Sequence, residues 1–432
     1  MDLTRQPPRR PSNAIVGGIA GLARMIDKAR GHNEETIGEF RYGEGSGLDV
    51  EVLEFINMSA DDFAAAVAAL DDAALGELAL KNANKSQDEI DAFNTEHLER
   101  TPQDELHEKL LVERIAKYAP GRTDITTVFA SIELDDWGAF RDLDLTAAPP
   151  RSPWLRSVFG LVGAARMADK ARALSCGQLG AYRYGDDSSQ DAAILEFIGV
   201  DQEAFREAAY NNPNDDELTE WVAARCQKSP GEKSVFNAAR CNVGRDDVMA
   251  ERLAERRAEV APERGDIQTF FDLQDLDDQL SFGITDLRRC PPRSAYDDSV
   301  GGLACLARMI DKFRAMACNC LGPYWCGEDS GFDRGVLEFL GLTPDEFAAG
   351  IEGKDDSAVV EWLGARLSGK SAEDTAAFNE RMVNFGPGNE QQWDFLREVV
   401  AKLDPSRTDI ETFTALTVLD DTVYFARLKA GV

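Results

Sequence analysis

Apolar residues in this chain recur at intervals of three and four, the period of an α-helix with one buried face. The clearest stretch is Leu22-Ala-Arg-Met-Ile-Asp-Lys-Ala-Arg30. Leu22, Met25, Ile26 and Ala29 mark its buried stripe, while Arg24, Asp27 and Lys28 fall at i, i+3 and i+4 on an adjoining face. The stretch returns at Ala165–Arg172 and at Leu306–Arg314, so that Arg24, Arg166 and Arg308 stand 142 residues apart, twice over. A fixed period of that kind marks a tandem array of one structural unit.

The flanking segments repeat in register. Each copy opens with Pro-Pro-Arg (Pro7-Pro8-Arg9, Pro149-Pro150-Arg151, Pro291-Pro292-Arg293). Paired prolines extend the chain and stop a preceding helix, which predicts domain seams and domains over 1–145, 146–287 and 288–432. Gly18, Gly160 and Gly302 precede the repeated helix, either as a helix start that exposes amides or as a point of close packing. After the helix come Gly38-Glu-Phe-Arg-Tyr-Gly43, Gly180-Ala-Tyr-Arg-Tyr-Gly185 and Gly322-Pro-Tyr-Trp-Cys-Gly327, read as tight loops carrying rings inward. Asp49, Asp191 and Asp333 then open a short helix ending in Leu-Glu-Phe.

Cap residues start the next helices at Ser59, Asp201 and Thr343, and again at Ser86, Ser229 and Ser371. The later set ends near Phe93-Asn94, Phe236-Asn237 and Phe378-Asn379. A further helix leads to Arg122-Thr-Asp124, Arg264-Gly-Asp266 and Arg407-Thr-Asp409, and each copy closes on Asp135-Asp136, Asp277-Asp278 or Asp420-Asp421. No sustained two-residue alternation occurs. The expected fold is all-α: three tandem homologous helical domains of about 142 residues, with roughly five or six helices apiece.

Composition narrows the function. The 432 residues leave room for three domains, and 78 acidic against 47 basic side chains give a formal charge of −31. Such a surface repels phosphate backbones and anionic lipid, which argues against a nucleic-acid or membrane partner. No apolar run reaches the ~18 residues of a membrane span, and the N-terminus has no apolar signal core. A cytoplasmic chain is expected. Its eight cysteines all lie outside copy one; disulfides stapling a repeated domain would recur in every copy, so reduced thiols are the better reading. The oligomeric state is not legible.

Candidate chemistry centres on the repeated helix. Arg24, Asp27 and Lys28, with Arg166, Asp169, Lys170 and Arg308, Asp311, Lys312, suit a pocket for a small anionic organic ligand: a guanidinium fork, an ammonium point charge and an orienting carboxylate. The same residues equally suit an internal ion-pair face, with Arg24 held by Asp27 or Asp49. Tyr42, Tyr182, Tyr184 and Tyr324 admit ligand stacking or core packing. Asp49, Asp191 and Asp333 admit ligand contact, and Asp49 or Glu54 acid–base work. The three histidines, His32, His97 and His107, all sit in copy one, so no histidine mechanism is common to the copies. Cys318-x-Cys320 with Cys326 is the one arrangement reminiscent of a metal cluster, and it reads as incidental; neither a metal nor a cofactor is expected.

The Arg-x-x-Asp-Lys-x-Arg helix, the Gly-x-Tyr-x-Tyr loop, the aligned Asp and the Leu-Glu-Phe helix resemble the bacterial family catalogued as domain of unknown function 5069. That resemblance covers nearly all of each copy and implies no known activity. The family pattern includes a Trp matched here by Trp221 and Trp362, with Leu78 in copy one; copy one also has Phe40 in place of Tyr182 and Tyr324, and copy three has Cys326 in place of Tyr42 and Tyr184. Tandem repeats of this approximate length in a cytosolic protein are also similar to those of dinoflagellate luciferin-binding proteins, which implies a luciferin-like tetrapyrrole as ligand. Repetition of a site raises capacity, so a non-catalytic binding or storage protein is the leading expectation. An enzyme acting on a small anionic metabolite and a protein-interaction scaffold are the alternatives. Copy two, with Arg166, Asp169, Lys170, Tyr182, Tyr184 and Trp221, keeps the fullest set of residues, and binding through Arg and Lys is expected to hold between pH 6 and 8.

Overall fold

A computed structural model describes residues 1–260 and 267–431; Arg264 and Asp266 of the copy-two Arg-Gly-Asp stretch lie outside the described residues. Among the described residues the chain is helical throughout and contains no strand. Copy one holds α1 (Leu22–Asn33), α2 (Gly47–Phe55), α3 (Ala60–Ala69), α4 (Asp72–Ala83), α5 (Gln87–Glu99), α6 (Glu105–Tyr118) and α7 (Val128–Phe140). Copy two follows with α8 (Ala164–Ser175), α9 (Ser189–Ile198), α10 (Gln202–Asn211), α11 (Asp215–Ala223), α12 (Pro230–Cys241), α13 (Ala250–Val260) and α14 (Phe270–Phe282). Copy three has α15 (Leu306–Ala317), α16 (Gly331–Leu340), α17 (Pro344–Ile351), α18 (Asp356–Ser368), α19 (Ala372–Val383), α20 (Glu390–Leu403) and α21 (Phe413–Ala430).

Each copy therefore shows seven helices where the sequence suggests five or six. The extra break follows α3, α10 and α17, where Asp71, Asn214 and Asp355 accept backbone N–H groups as N-caps and restart the helix within a few residues.

The repeated helix is the centre of each core. Leu22, Met25, Ile26 and Ala29 are wholly buried, as are Met167 and Ala168 in copy two and Met309 and Ile310 in copy three. A phenylalanine from the third helix fills the same register in every copy: Phe63, Phe205 and Phe347. Residues 21, 163 and 305 take left-handed conformations just before the helix; two are glycines, and the third is Cys305 at φ 66°.

Gly18, Gly160 and Gly302 stand at φ 69–71° in the preceding turn rather than at a helix start. An asparagine closes that turn in each copy. Asn94 accepts from Ala20 N–H at 2.8 Å and donates to Gly18 O at 2.7 Å; Asn237 and Asn379 do the same for the turns at Gly160 and Gly302. The glycine is thus needed for its positive φ, and the turn's polar groups are satisfied internally.

Backbone packing gathers the described residues into two compact units. The first comprises Met1–Arg151 with Leu155–Asn237; the second comprises Ser152–Trp154 with the chain from Ala238 onward. Within the first, the N-terminal segment docks on copy two. Asn214 donates to Pro7 O at 2.9 Å, Gln6 accepts from Asp215 N–H at 2.8 Å, and Trp137 donates its indole N–H to Tyr210 O at 2.9 Å.

Candidate functional site

The three charges of the repeated helix go to three different partners. Asp27 receives the backbone N–H of Arg9 at 2.8 Å and its Nε and Nη2 at 2.8–3.1 Å, while Arg9 Nη1 reaches Asp72. Arg151–Asp169 and Arg293–Asp311 repeat the geometry, with Asp215 and Asp356 as the second acids. Asp27 is completely buried. Burial works against the Arg9 charge, yet Asp27 and Asp72 outweigh it and hold the guanidinium above its ordinary range.

Arg24 pairs with Asp136 of α7, and Arg308 pairs with Asp421 of α21 at 2.6 Å. The sequence suggests Asp27 or Asp49 as the partner of Arg24 in an ion-pair face, but the partner is Asp136, 112 residues on. In all three copies the arginine also donates to the carbonyl of the Pro-Pro-Arg residue, at 3.2–3.3 Å. The clamp between chain start and helix is therefore made twice.

The lysines meet the aligned aspartates: Lys28 with Asp49, Lys170 with Asp191 at 2.7 Å and Lys312 with Asp333 at 2.6 Å. The second oxygen of each aspartate accepts the N–H of Gly43, Gly185 or Gly327 at 2.9–3.2 Å, which fixes the aromatic loop. All six charged groups are buried. Burial pushes the Lys28 ammonium down to about 8 despite Asp49, and pushes the Asp136, Asp191 and Asp333 carboxyls up.

The rings serve mainly inside the fold. Tyr42 and Tyr184 spend their hydroxyls on Ala60 O and Gln202 O, each at 2.7 Å. Tyr182 lies under Arg166 and Tyr324 under Arg308, both with the guanidinium 5.4 Å from the ring centre, and Tyr324 also donates to Asp421 at 2.9 Å. Trp221 packs on the copy-two core under Arg225. Trp362 packs on the copy-three core, against the open face of Gly350.

Copy one brings part of the expected set to a cleft of about 630 Å³. Its cationic lining is Arg24, Lys28, Arg41 and Arg114, against Glu39, Asp135 and Asp136; Phe40, Phe140, Leu48 and Ile132 form apolar wall. Phe40 stacks on Phe140 at 6.1 Å, below the Arg24 guanidinium. Arg24 Nε–H has no hydrogen-bond partner among the described residues. Asp27, Tyr42 and Asp49 do not line this cleft.

A second cleft of about 490 Å³ adjoins it, sharing Ser46, Leu48, Arg114 and Ile132. Here buried His97 meets Glu51 at 2.7 Å and Phe93 O at 2.8 Å, and Arg100 donates to both Glu51 oxygens at 2.8–2.9 Å. His107 faces Asp104 at 2.7 Å.

Sequence reasoning missed two sets of residues. Arg9, Arg151 and Arg293 were visible as an in-register repeat, but adjacent prolines suggested only a seam. Glu51, His97 and Arg100 left no repeated signal: copy two has Ala193, Arg240 and Val243 there, and copy three has Gly335, Met382 and Phe385.

Comparison with known families gives one result. The model of the family described as Domain of unknown function (DUF5069) matches residues 5–137, 147–280 and 289–423. No curated protein matches the chain, and the likeness to luciferin-binding repeats gains no support.

Proposed function

From the premise that this chain belongs to the DUF5069 family in three tandem copies, we propose that it is a non-catalytic binding protein for a small anionic organic molecule. The ligand lies in the copy-one cleft. One observation carries this reading: on a chain of charge −31, that cleft collects four cationic against three acidic side chains beside a stacked Phe40–Phe140 wall. A carboxylate or phosphate would take the Arg24 Nε–H and the Arg41 and Arg114 guanidinia, with its apolar body against Phe40. Copy two is less suited, because Tyr184 and Trp221 are occupied in packing. A cytoplasmic location goes with this reading, supported by cysteines that do not recur from copy to copy as a disulfide framework would.

The test is native mass spectrometry of the purified full chain for a retained small molecule, followed by titration with an anionic aromatic sulfonate. Arg41→Ser and Arg114→Ser should each weaken binding severalfold, while Arg397→Ser in copy three should not. Equal affinity in all four proteins would remove the reading. The Glu51–His97–Arg100 group in the adjoining cleft favours one rival, an enzyme acting on a small anionic metabolite. Consumption of the retained molecule by wild type and not by His97→Gln would establish it.

A further inference from the structure

The second unit contains a pair of thiols that the binding reading does not use. Cys318 and Cys320 flank Asn319, which takes a left-handed conformation at φ 53° immediately after α15. That reversal folds the two cysteines toward one another: the Cys320 thiol donates to Cys318 O at 3.1 Å. Arg288 Nη2 donates to Cys320 Sγ at 3.2 Å, and the same nitrogen and Nε donate to Asp286 at 2.8–3.0 Å. The Cys320 backbone is pinned, with its N–H on Ala315 O at 2.7 Å and its carbonyl accepting from Leu287 N–H at 3.0 Å. Cys318 is half-buried on the wall of a cleft of about 750 Å³ beside Phe313, Arg314 and Ile351.

Copy two supplies an internal control. Cys176 matches Cys318 and meets the equivalent carbonyls, Leu143 O and Ala173 O at 3.4 Å, as Cys318 meets Thr285 O and Ala315 O at 3.4–3.5 Å. Gln178 stands where copy three has Cys320. The second thiol is therefore particular to copy three.

We propose that Cys318 and Cys320 form a redox-active dithiol that a hydroperoxide converts to an intramolecular disulfide, with Cys318 as the attacking sulfur and Cys320 as the resolving one. The Cys318 thiolate attacks the terminal peroxide oxygen. An S–O bond forms, the O–O bond breaks, and the departing hydroxide or alkoxide leaves as water or alcohol with the proton Cys318 gave up. Cys320 sulfur then attacks the Cys318 sulfenic acid; the S–S bond forms, the S–O bond breaks, and hydroxide leaves with the Cys320 proton as water. Two thiols lose two electrons, and the peroxide gains them. The roles follow from position: Cys318 faces the cleft, and Cys320 is buried behind it. The adjacent Cys320 brings the Cys318 thiol down to about 7, which supplies thiolate at neutral pH. A ring closed over one intervening residue is a strained disulfide, the kind that reduces readily.

The experiment treats the full chain with one equivalent of hydrogen peroxide, alkylates it with iodoacetamide and digests it with trypsin and chymotrypsin; cleavage at Tyr324 or Trp325 separates Cys326. The expected product is a peptide holding Cys318 and Cys320, two mass units lighter and unalkylated, that dithiothreitol restores. Cys320→Ser should instead leave a dimedone-trappable sulfenic acid on Cys318, and Cys318→Ser should leave Cys320 reduced. Without peroxide, alkylation of Cys318 at pH 7 should run about threefold faster than at an ordinary thiol, after allowing for the weaker nucleophilicity of a low-pKa sulfur. Free thiols at both positions after peroxide, a Cys318–Cys326 linkage, or oxidation of Cys176 as fast as Cys318 would each overturn the proposal. Circular dichroism of both serine variants confirms that the fold is retained.

Discussion

Arg9 and Asp27 face one another through four hydrogen bonds, three from the guanidinium and one from the Arg9 backbone N–H. The bond reappears in each copy, but its depth does not. The side chains of Arg151 and Asp169 are 8% and 6% exposed, those of Arg293 and Asp311 28% and 13%. Removing one partner of a buried pair strands the other charge. Arg151→Ala should therefore cost about 3–5 kcal/mol, and Arg293→Ala about half as much because water reaches the stranded Asp311. Denaturant titration of the full chain measures both, and equal losses would show that burial is not what sets the difference.

A second prediction concerns pH and ligand. Sequence alone expects a plateau of affinity between pH 6 and 8. The Lys28 ammonium, down to about 8 against an ordinary 10.5, sets the edge of that plateau. An anion prefers the charged lysine, so affinity for the aromatic sulfonate should fall as pH rises through about 8. Stability moves oppositely: between about 8 and 10.5 the unfolded chain binds the proton that folded Lys28 has lost, so this group makes folding more favourable with rising pH. Affinity level to pH 10 would place the ligand away from Lys28.

Asp216 carries a third. Burial, then Asp27, push its carboxyl up to about 6. The folded chain thus holds a proton that the unfolded chain releases near 3.8, and stability from this group is present at low pH and lost as pH rises from about 4 to 6. Its side chain is 42% exposed, so the effect is modest. Asp216→Asn should stabilise the protein at pH 7 by about 1 kcal/mol or less and leave it unchanged at pH 4. Thermal melts at the two pH values check this; a gain at pH 4 as large as that at pH 7 would refute it.

How much of this was legible beforehand depended on repetition. Leu22, Met25 and Ile26, the caps and the 142-residue period announced three helical copies, because periodicity and capping are local properties. The partner of Arg24 was not legible, since Asp136 lies 112 residues away and only tertiary packing selects it over the nearer Asp27. The copy-one cleft was hidden for the opposite reason. Phe40 and Leu78 look like losses from a ring set, yet Phe40 lies on the cleft wall, while Tyr42 and Tyr184 bond backbone carbonyls.

Trp362 tests that last point. A methyl group on Gly350 would come within 1.9 Å of its indole, so Gly350→Ala should cost about 1–3 kcal/mol by overpacking. Copy one has Ala66 and Leu78 at the matching positions. The double change Gly350→Ala with Trp362→Leu should therefore cost less than the two single changes summed, by at least ~0.5 kcal/mol. Additive losses in a denaturation cycle would show that the indole does not rest on Gly350.

The Arg9–Asp27 clamp also decides where a copy can be excised. Pro-Pro-Arg looks like connecting tether, the natural place to cut or to splice in a foreign sequence. Because Arg151 and Arg293 close on carboxylates 18 residues downstream, that tether is the first fastening of the copy it precedes. A fragment beginning after Arg151 would lack the cation that neutralises Asp169, whereas one beginning before Pro149 would carry its own. Trypsin, which needs an extended arginine, should likewise spare Arg151 in the folded chain while taking exposed Arg122 in the loop between α6 and α7, so a copy is marked off by a fastening rather than by slack.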